Sequence, residues 1–157
     1  MVDLAADFRS LMRRVPAPVA VLSVDVEGER LGLTVASLVS LSLEPPLVGV
    51  SISRQAAMHE LLRRADRFGV SILGGEQETV AAHFARGVPP IALWHGVSLR
   101  EADGPPLLDG AVGWLVCERR GEVEAGDHTL FVGETLSVES GAPGPALAYL
   151  GGKYVAL

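Results

Sequence analysis

A long antiparallel ribbon is written into residues 111–138. Val112, Trp114 and Val116 alternate with Gly113, Leu115 and Cys117, and the strand pattern continues through charged residues from Glu118 to Glu124. Thr129 to Val138 runs back, so Ala125 to His128 is the connecting turn. Strands joined this tightly pair antiparallel, because parallel neighbours need a crossover of roughly a dozen residues or more. The pattern argues against a doubly wound parallel sheet.

The remaining segments fit around that ribbon. Asp3 caps a helix carrying Leu4, Phe8, Leu11 and Met12 at helical spacing, and Pro16 stops it. Ala17 to Val24 alternates as a strand, Glu27-Gly28 turns the chain, and Leu31 begins a second strand. Pro45-Pro46 precedes a third, Leu47 to Ser53. Met58, Leu61, Leu62 and Ala65 line one face of a helix from about Gln55 to Ala65. Phe68 to Leu73 is a short apolar strand, and Gly75 to Arg86 is helical until Gly87 and Pro89-Pro90 end it. Strands dominate and the helices are short and peripheral. The expected fold is mainly β, an antiparallel barrel with helical covers. With 157 residues, no repeat and no low-complexity segment, residues 1–157 read as one domain.

The stretch from Gly32 to Ser53 threads Thr34, Ser37, Ser40, Ser42, Ser51 and Ser53 through an apolar run. A buried hydroxyl without a partner costs about 1–3 kcal/mol. Several in one segment imply either strand-edge bonds to backbone or a polar ligand lying against them. In one straight strand Thr34, Ser40 and Ser42 share a face while Ser37 points away. The small residues Ala36 and Ser37 allow a bend there, which would turn Ser37 and nearby N–H groups toward the same ligand. A flat heteroaromatic ring carrying a phosphorylated chain suits such a lining.

Composition narrows the classes. Apolar residues make up 48% and charged residues only 20%, which is lean for a small monomer, so a homo-oligomer is expected. A net charge of -6 argues against a nucleic-acid groove. Cys117 is the sole cysteine, which excludes an intrachain disulfide and a cysteine-rich metal site; its place in the alternation suits a small buried thiol better than a reactive one. His59-Glu60-Leu61-Leu62-Arg63 begins like a zinc-binding helix but puts Arg where the second histidine must stand. His83 and His95 are too far apart for one helix face, so no metal site is expected. Glycine-rich nucleotide loops and Gly-x-Ser-x-Gly are absent. The N-terminus lacks the order of a signal peptide and no apolar run reaches about 18 residues, so a cytoplasmic protein without a membrane span is expected.

Four places carry candidate chemistry, each with a plainer alternative. Ser53-Arg54 stands where a strand passes into a helix: a phosphate seat on free N–H groups and a guanidinium, or a Ser cap beside a solvated Arg. Arg86, near a helix end, is a weaker phosphate candidate or a solvated charge. His128 at the hairpin tip presents an imidazole whose second nitrogen a neighbour orients, or is simply turn-exposed. Tyr149-Leu150-Gly151-Gly152-Lys153-Tyr154 is either a lid for a planar ligand or core packing with a frayed tail. Trp94 and Trp114 are read as core or interface residues.

Taken in order, these parts resemble the flavin reductase-like family with the FMN-binding split barrel, from about Phe8 to Tyr154. The resemblance rests on Phe8-Arg9, Val19-Ala20-Val21, Gly32-Leu33-Thr34-Val35 with Ser37, and Ser42-Leu43-Glu44-Pro45-Pro46-Leu47-Val48. Arg67-Phe68, Glu118, Gly126-Asp127-His128-Thr129-Leu130-Phe131-Val132-Gly133-Glu134, Tyr149 and Gly152-Lys153-Tyr154 complete it.

The family consists largely of homodimeric NAD(P)H:flavin oxidoreductases, many supplying reduced FMN or FAD to a separate monooxygenase. By resemblance, Thr34, Val35, Ala36, Ser37 and Leu38, with Ser40 and Leu41, hold the isoalloxazine and ribityl parts. Ser53, Arg54, Gln55, Ala56 and Ala57 receive the phosphate, and His128 with Tyr149, Gly152 and Tyr154 faces the nicotinamide of NADH or NADPH. The chain departs from the family at Gln55-Ala56-Ala57-Met58, where relatives often carry Ser or Thr, leaving Arg54 and backbone N–H groups to hold the phosphate. Ser71 replaces a common Asn, and Pro18 a common Gly. The resemblance implies hydride transfer from NAD(P)H to FMN or FAD. A flavin carrier or sensor without efficient turnover, and a split barrel holding haem, are the alternatives.

Overall fold

The computed structural model describes all of residues 1–157. Helix α1 (Leu4–Met12) is capped by the Asp3 carboxylate, which accepts from the Ala6 N–H at 3.1 Å. Strands β1 (Ala17–Pro18), β2 (Ala20–Val26), β3 (Glu29–Val35), β4 (Val39–Leu43) and β5 (Pro46–Ser53) follow. Helix α2 (Ala57–Arg64), strand β6 (Arg67–Ile72), and helices α3 (Glu78–Ala85) and α4 (Pro90–Leu93) come next. The ribbon β7 (Gly113–Ala125) and β8 (His128–Ser140) precedes a closing hairpin, β9 (Leu147–Leu150) and β10 (Lys153–Ala156). No helix is long and apolar enough to cross a membrane.

Seven strands form one antiparallel sheet in the order β3-β2-β6-β7-β8-β5-β4. Strands β3 and β4 therefore lie at opposite edges, yet only Ala36, Ser37 and Leu38 join them. Laid flat, six strand spacings would hold those edges about 29 Å apart. A three-residue link reaches about 14 Å at most. The sheet must curl until its edges approach, giving a barrel that stays split between β3 and β4. The single strand expected from Leu31 onward is thus two, broken at the small residues Ala36 and Ser37.

Strand β2 is buried on both faces and supplies two cores. Ala20, Leu22 and Val24 point into the barrel with Val50, Ile52, Leu62, Phe68 and Phe131. Val21, with Val19, packs outward against Leu73, Phe84, Leu93 and Leu147 beneath α3 and α4. Gly133 on β8 lies against the Phe68 ring, where any Cβ would collide.

Two segments differ from the sequence expectation. The helix expected from Gly75 begins only at Glu78, because Gly74 and Gly75 are occupied elsewhere: the Gly74 N–H donates to the Gln77 side chain at 2.9 Å and the Gly75 N–H to the Pro145 carbonyl at 2.8 Å. Tyr149 to Tyr154 is a paired hairpin rather than a loose tail: β9 bridges β1 and β10 in a three-stranded sheet, and Gly151 and Gly152, at φ 62° and 80°, make its turn.

Candidate active site

The seam of the barrel opens into a cleft of about 430 Å³. Leu33, Thr34, Val35, Ala36 and Ser37 wall it on one side, Ser51, Ile52, Ser53 and Ala56 on the other, and His128 at its rim. Two of the hydroxyls that marked this segment are committed to the protein. Thr34 Oγ1 donates to the Ala81 carbonyl at 2.6 Å, tying β3 to α3. Ser37 Oγ donates to the Ser51 carbonyl (3.0 Å) and accepts from the Ser51 N–H (2.9 Å), clamping the link to β5.

The uncommitted donors are in the backbone. Ala36, Ser37 and Leu38 lie beyond the last β2–β3 pair and before the first β4–β5 pair, and their N–H groups enter no backbone hydrogen bond outside the strand ladders. Ala36 and Ser37 line the cleft with Leu33, Val35 and Ile52, so their N–H groups suit an apolar, planar ligand with acceptors along one edge.

A second cleft of about 370 Å³ continues from the first, sharing Leu33 and Ala56, and reaches Ala57, Phe84, Arg86 and Pro89. Helix α2 starts between the two, and Ala56 caps it with no side-chain hydrogen bond. Ser53 Oγ accepts from the Gln55 N–H at 3.3 Å and keeps its own proton free to donate.

Arg54 is elsewhere. Its guanidinium pairs with Glu124 at 2.6 Å and its N–H donates to the Asp127 carbonyl at 3.0 Å, so it fastens the hairpin to the strand end and lines neither cleft. Arg86, the weaker candidate from sequence, lines the second cleft and has no carboxylate partner.

His128 begins β8 opposite Ser53. Its Nδ1 lies 2.7 Å from Asp127 Oδ1, an arrangement that makes Nδ1 the donor and leaves Nε2 without a protein partner. That hydrogen bond and the adjoining charge hold the Asp127 carboxyl below the ordinary carboxylate range. One residue on, Thr129 is buried and its Oγ1 lies 2.7 Å from Nε2 of the buried His59 on α2. Sequence reading set His59 aside with the failed zinc pattern. Its position on the buried face of α2, with Met58, Leu61 and Leu62, was the available signal.

The other expected contacts lie off the cleft. Ser40 and Leu41 are exposed on β4, and Leu38 packs against the barrel core. Gln55 lines neither cleft. Tyr149 and Tyr154 stack at 5.2 Å in the three-stranded sheet, where burial, Tyr149 and Glu78 push the Tyr154 phenol above its usual range. Gly152 packs against Arg13 beside them. Cys117 is fully buried, and burial pushes its thiol up to about 11.

A family model described as "Flavin reductase like domain" matches residues 12–157. The chain belongs to this flavin reductase-like family. The NADH-dependent flavin reductase StyB of Pseudomonas fluorescens is 38% identical over 156 residues, covering 94% of this chain and 90% of that protein. The reductase component of a 4-hydroxyphenylacetate 3-monooxygenase from Thermus thermophilus is 36% identical over 142 residues, covering 90% and 89%. Among solved structures, a Streptomyces globisporus NADH:FAD oxidoreductase in complex with NAD and FAD fragments superposes with a TM-score of 0.91 at 32% identity, over 98% of this chain and 94% of that one. The open, split sheet is thus shared with a solved flavin-dependent relative of the family.

Proposed function

We propose that this chain is an NADH- or NADPH-dependent flavin reductase whose flavin lies in the barrel seam. The observation that carries the reading is the pair of backbone N–H groups at Ala36 and Ser37 that no backbone acceptor takes, on an apolar cleft that continues past α2. An isoalloxazine fits those features: an apolar benzenoid end and a pyrimidine edge of acceptors. Bound there, a flavin FMN or FAD supplies the chemistry by accepting hydride from a reduced nicotinamide.

The protein's part is orientation. The link N–H groups donate to the pyrimidine edge and stabilise negative charge that accumulates there. Ser53, Ala56 and Ala57 bring the start of α2 to the phosphate, where free N–H groups favour an anion. His128, held by Asp127, offers Nε2 to the nicotinamide carboxamide. No acid–base pair is required.

The relatives support a role as the reductase of a two-component system, delivering reduced flavin to a monooxygenase. A homodimer is the favoured assembly. Val39, Leu41 and Leu43 on the edge strand, Leu136 and Val138 on the ribbon, and Phe8 and Leu11 on α1 are exposed apolar side chains that a second copy would cover. A cytoplasmic location, where reduced nicotinamides are available, is the favoured one. Purified protein should oxidise NADH or NADPH at a rate that rises with added FMN, FAD or riboflavin. Flavin binding without nicotinamide oxidation would refute the reductase and leave a carrier. Light scattering at the monomer mass would refute the dimer.

A further inference from the structure

The far half of β7 has lost its neighbour on one side. Strand β6 pairs with it only as far as Glu118, opposite Arg67, while β8 accompanies it to Ala125. From Arg119 onward that edge carries no strand, and α2 with its flanking residues takes the place of one. The Arg119 guanidinium donates to the Ala65 carbonyl at 3.1 Å, Arg63 pairs with Glu122 at 3.0 Å, and Arg54 pairs with Glu124 at 2.6 Å. As β7 advances from Arg119 to Glu124, its partners step back from Ala65 to Arg54. The segment thus runs antiparallel to the bare edge and is tied to it at three points.

Arg54 is the last tie before the hairpin turn. Its backbone N–H also reaches the turn, donating to the Asp127 carbonyl at 3.0 Å. The Asp127 carboxylate in turn lies 2.7 Å from His128 Nδ1. Register with Ser53 and Ala125 fixes the His128 backbone, so what remains to be set is the ring, and the ring follows Asp127. The Asp127 side chain is 96% exposed, and Gly126 beside it packs against nothing. Its carboxylate is therefore only as steady as the turn, and the turn is held at its β7 end by the Arg54–Glu124 pair.

We propose that Arg54 is a positioning residue: through Glu124 it steadies the turn that sets the His128 ring, and so acts on the nicotinamide and not on the flavin phosphate. The nicotinamide end of this role rests on the flavin reductase reading. Arg54 lines neither cleft, its guanidinium already has a carboxylate, and it falls in sequence with two other ties that lie away from the ligand.

The pair is exposed, so its removal has a moderate effect. Arg54→Met and Glu124→Gln should each raise the KM for NADH about two- to fivefold and leave the KM for FMN unchanged. Exchanging the pair, Arg54→Glu with Glu124→Arg, should bring the KM for NADH below that of either single variant. In flavin-free protein, amide hydrogen exchange at Gly126, Asp127 and His128 should quicken in both single variants, a readout that needs no turnover. A higher KM for FMN in Arg54→Met returns the guanidinium to the phosphate and overturns the proposal. A KM for NADH that rises in Arg54→Met but falls in Glu124→Gln shows a charge acting directly on the anionic dinucleotide, and overturns it as well. Faster exchange with an unchanged KM for NADH confines Arg54 to the turn and refutes the positioning of His128. Unchanged exchange in both variants removes the tie itself. Faster exchange in a protein that oxidises no nicotinamide keeps the tie and refutes the reductase reading.

Discussion

Replacing Thr129 by Val tests whether His59 holds the hydride end of the site in place. Valine matches the shape of threonine but leaves His59 Nε2 without its partner at 2.7 Å. His59 is 7% exposed and Thr129 2%, so water does not readily replace the lost bond. An unsatisfied buried group of this kind costs about 1–3 kcal/mol. At about 2–4 °C per kcal/mol for a chain of this size, a mid-range loss lowers Tm by about 4–8 °C. The ring itself stays put, because it packs edge-on against Phe131 at 5.4 Å. Thr129 follows His128 in β8, and His59 belongs to the helix whose start faces the proposed phosphate, so the bond joins the two ends of the cleft. The KM for NADH should rise several-fold with the KM for FMN little changed, and Thr129→Ser should restore both. Calorimetry and steady-state kinetics check this. An unchanged Tm would refute the bond, and a lowered Tm with an unchanged KM for NADH would refute its positioning role.

Gly133→Ala drives a methyl into the fully buried Phe68 ring and the Cys117 Cβ, and should cost about 1–3 kcal/mol in urea unfolding; wild-type stability would show the ring free to move aside. Cys117 should stay unlabelled by thiol reagents in the folded protein and react once denatured. Its folded thiol titrates near 11 against 9.0 unfolded, so the folded form keeps its proton longer. That contribution, about 2–3 kcal/mol, is complete below pH 9 and is lost as pH rises through 11; alkaline urea titrations of the wild type and Cys117→Ala should diverge there. For Asp127 the sign is reversed: His128 lowers its pKa, and His128→Ala should return the carboxyl to the ordinary range in an NMR titration, with no return refuting the pair.

The ribbon and the capped first helix were legible because each rests on local signals: alternation with a Gly-Asp turn, and an Asp cap. What hid was non-local. Thr34 and Ser37 were marked as ligand hydroxyls, but sequence cannot reveal that the Ala81 carbonyl and the Ser51 backbone already occupy them. Arg54 was given to the phosphate because it stands at a helix start, and Glu124, distant in sequence, takes it instead. The Tyr149–Tyr154 segment looked loose because two glycines suggest freedom, whereas here they make the turn of a hairpin that β1 completes. Neighbouring glycines signal a turn as readily as a hinge.

Arg54 and Arg86 together explain how a phosphate junction lacking the usual hydroxyls can still work. Both are arginines near helix ends, and only partnership separates them. Glu124 neutralises Arg54 and uses it to fix the hairpin, so His128 gains a firm mounting and the phosphate loses a ligand. Arg86 has no carboxylate partner and lines the second cleft, past the start of α2. A monophosphate at α2 would rely mainly on backbone donors, whereas a pyrophosphate would extend toward the guanidinium as well. On the proposed flavin reading, a phosphate at the start of α2 would therefore rest on backbone donors, with Arg86 the nearest unpaired guanidinium along the second cleft.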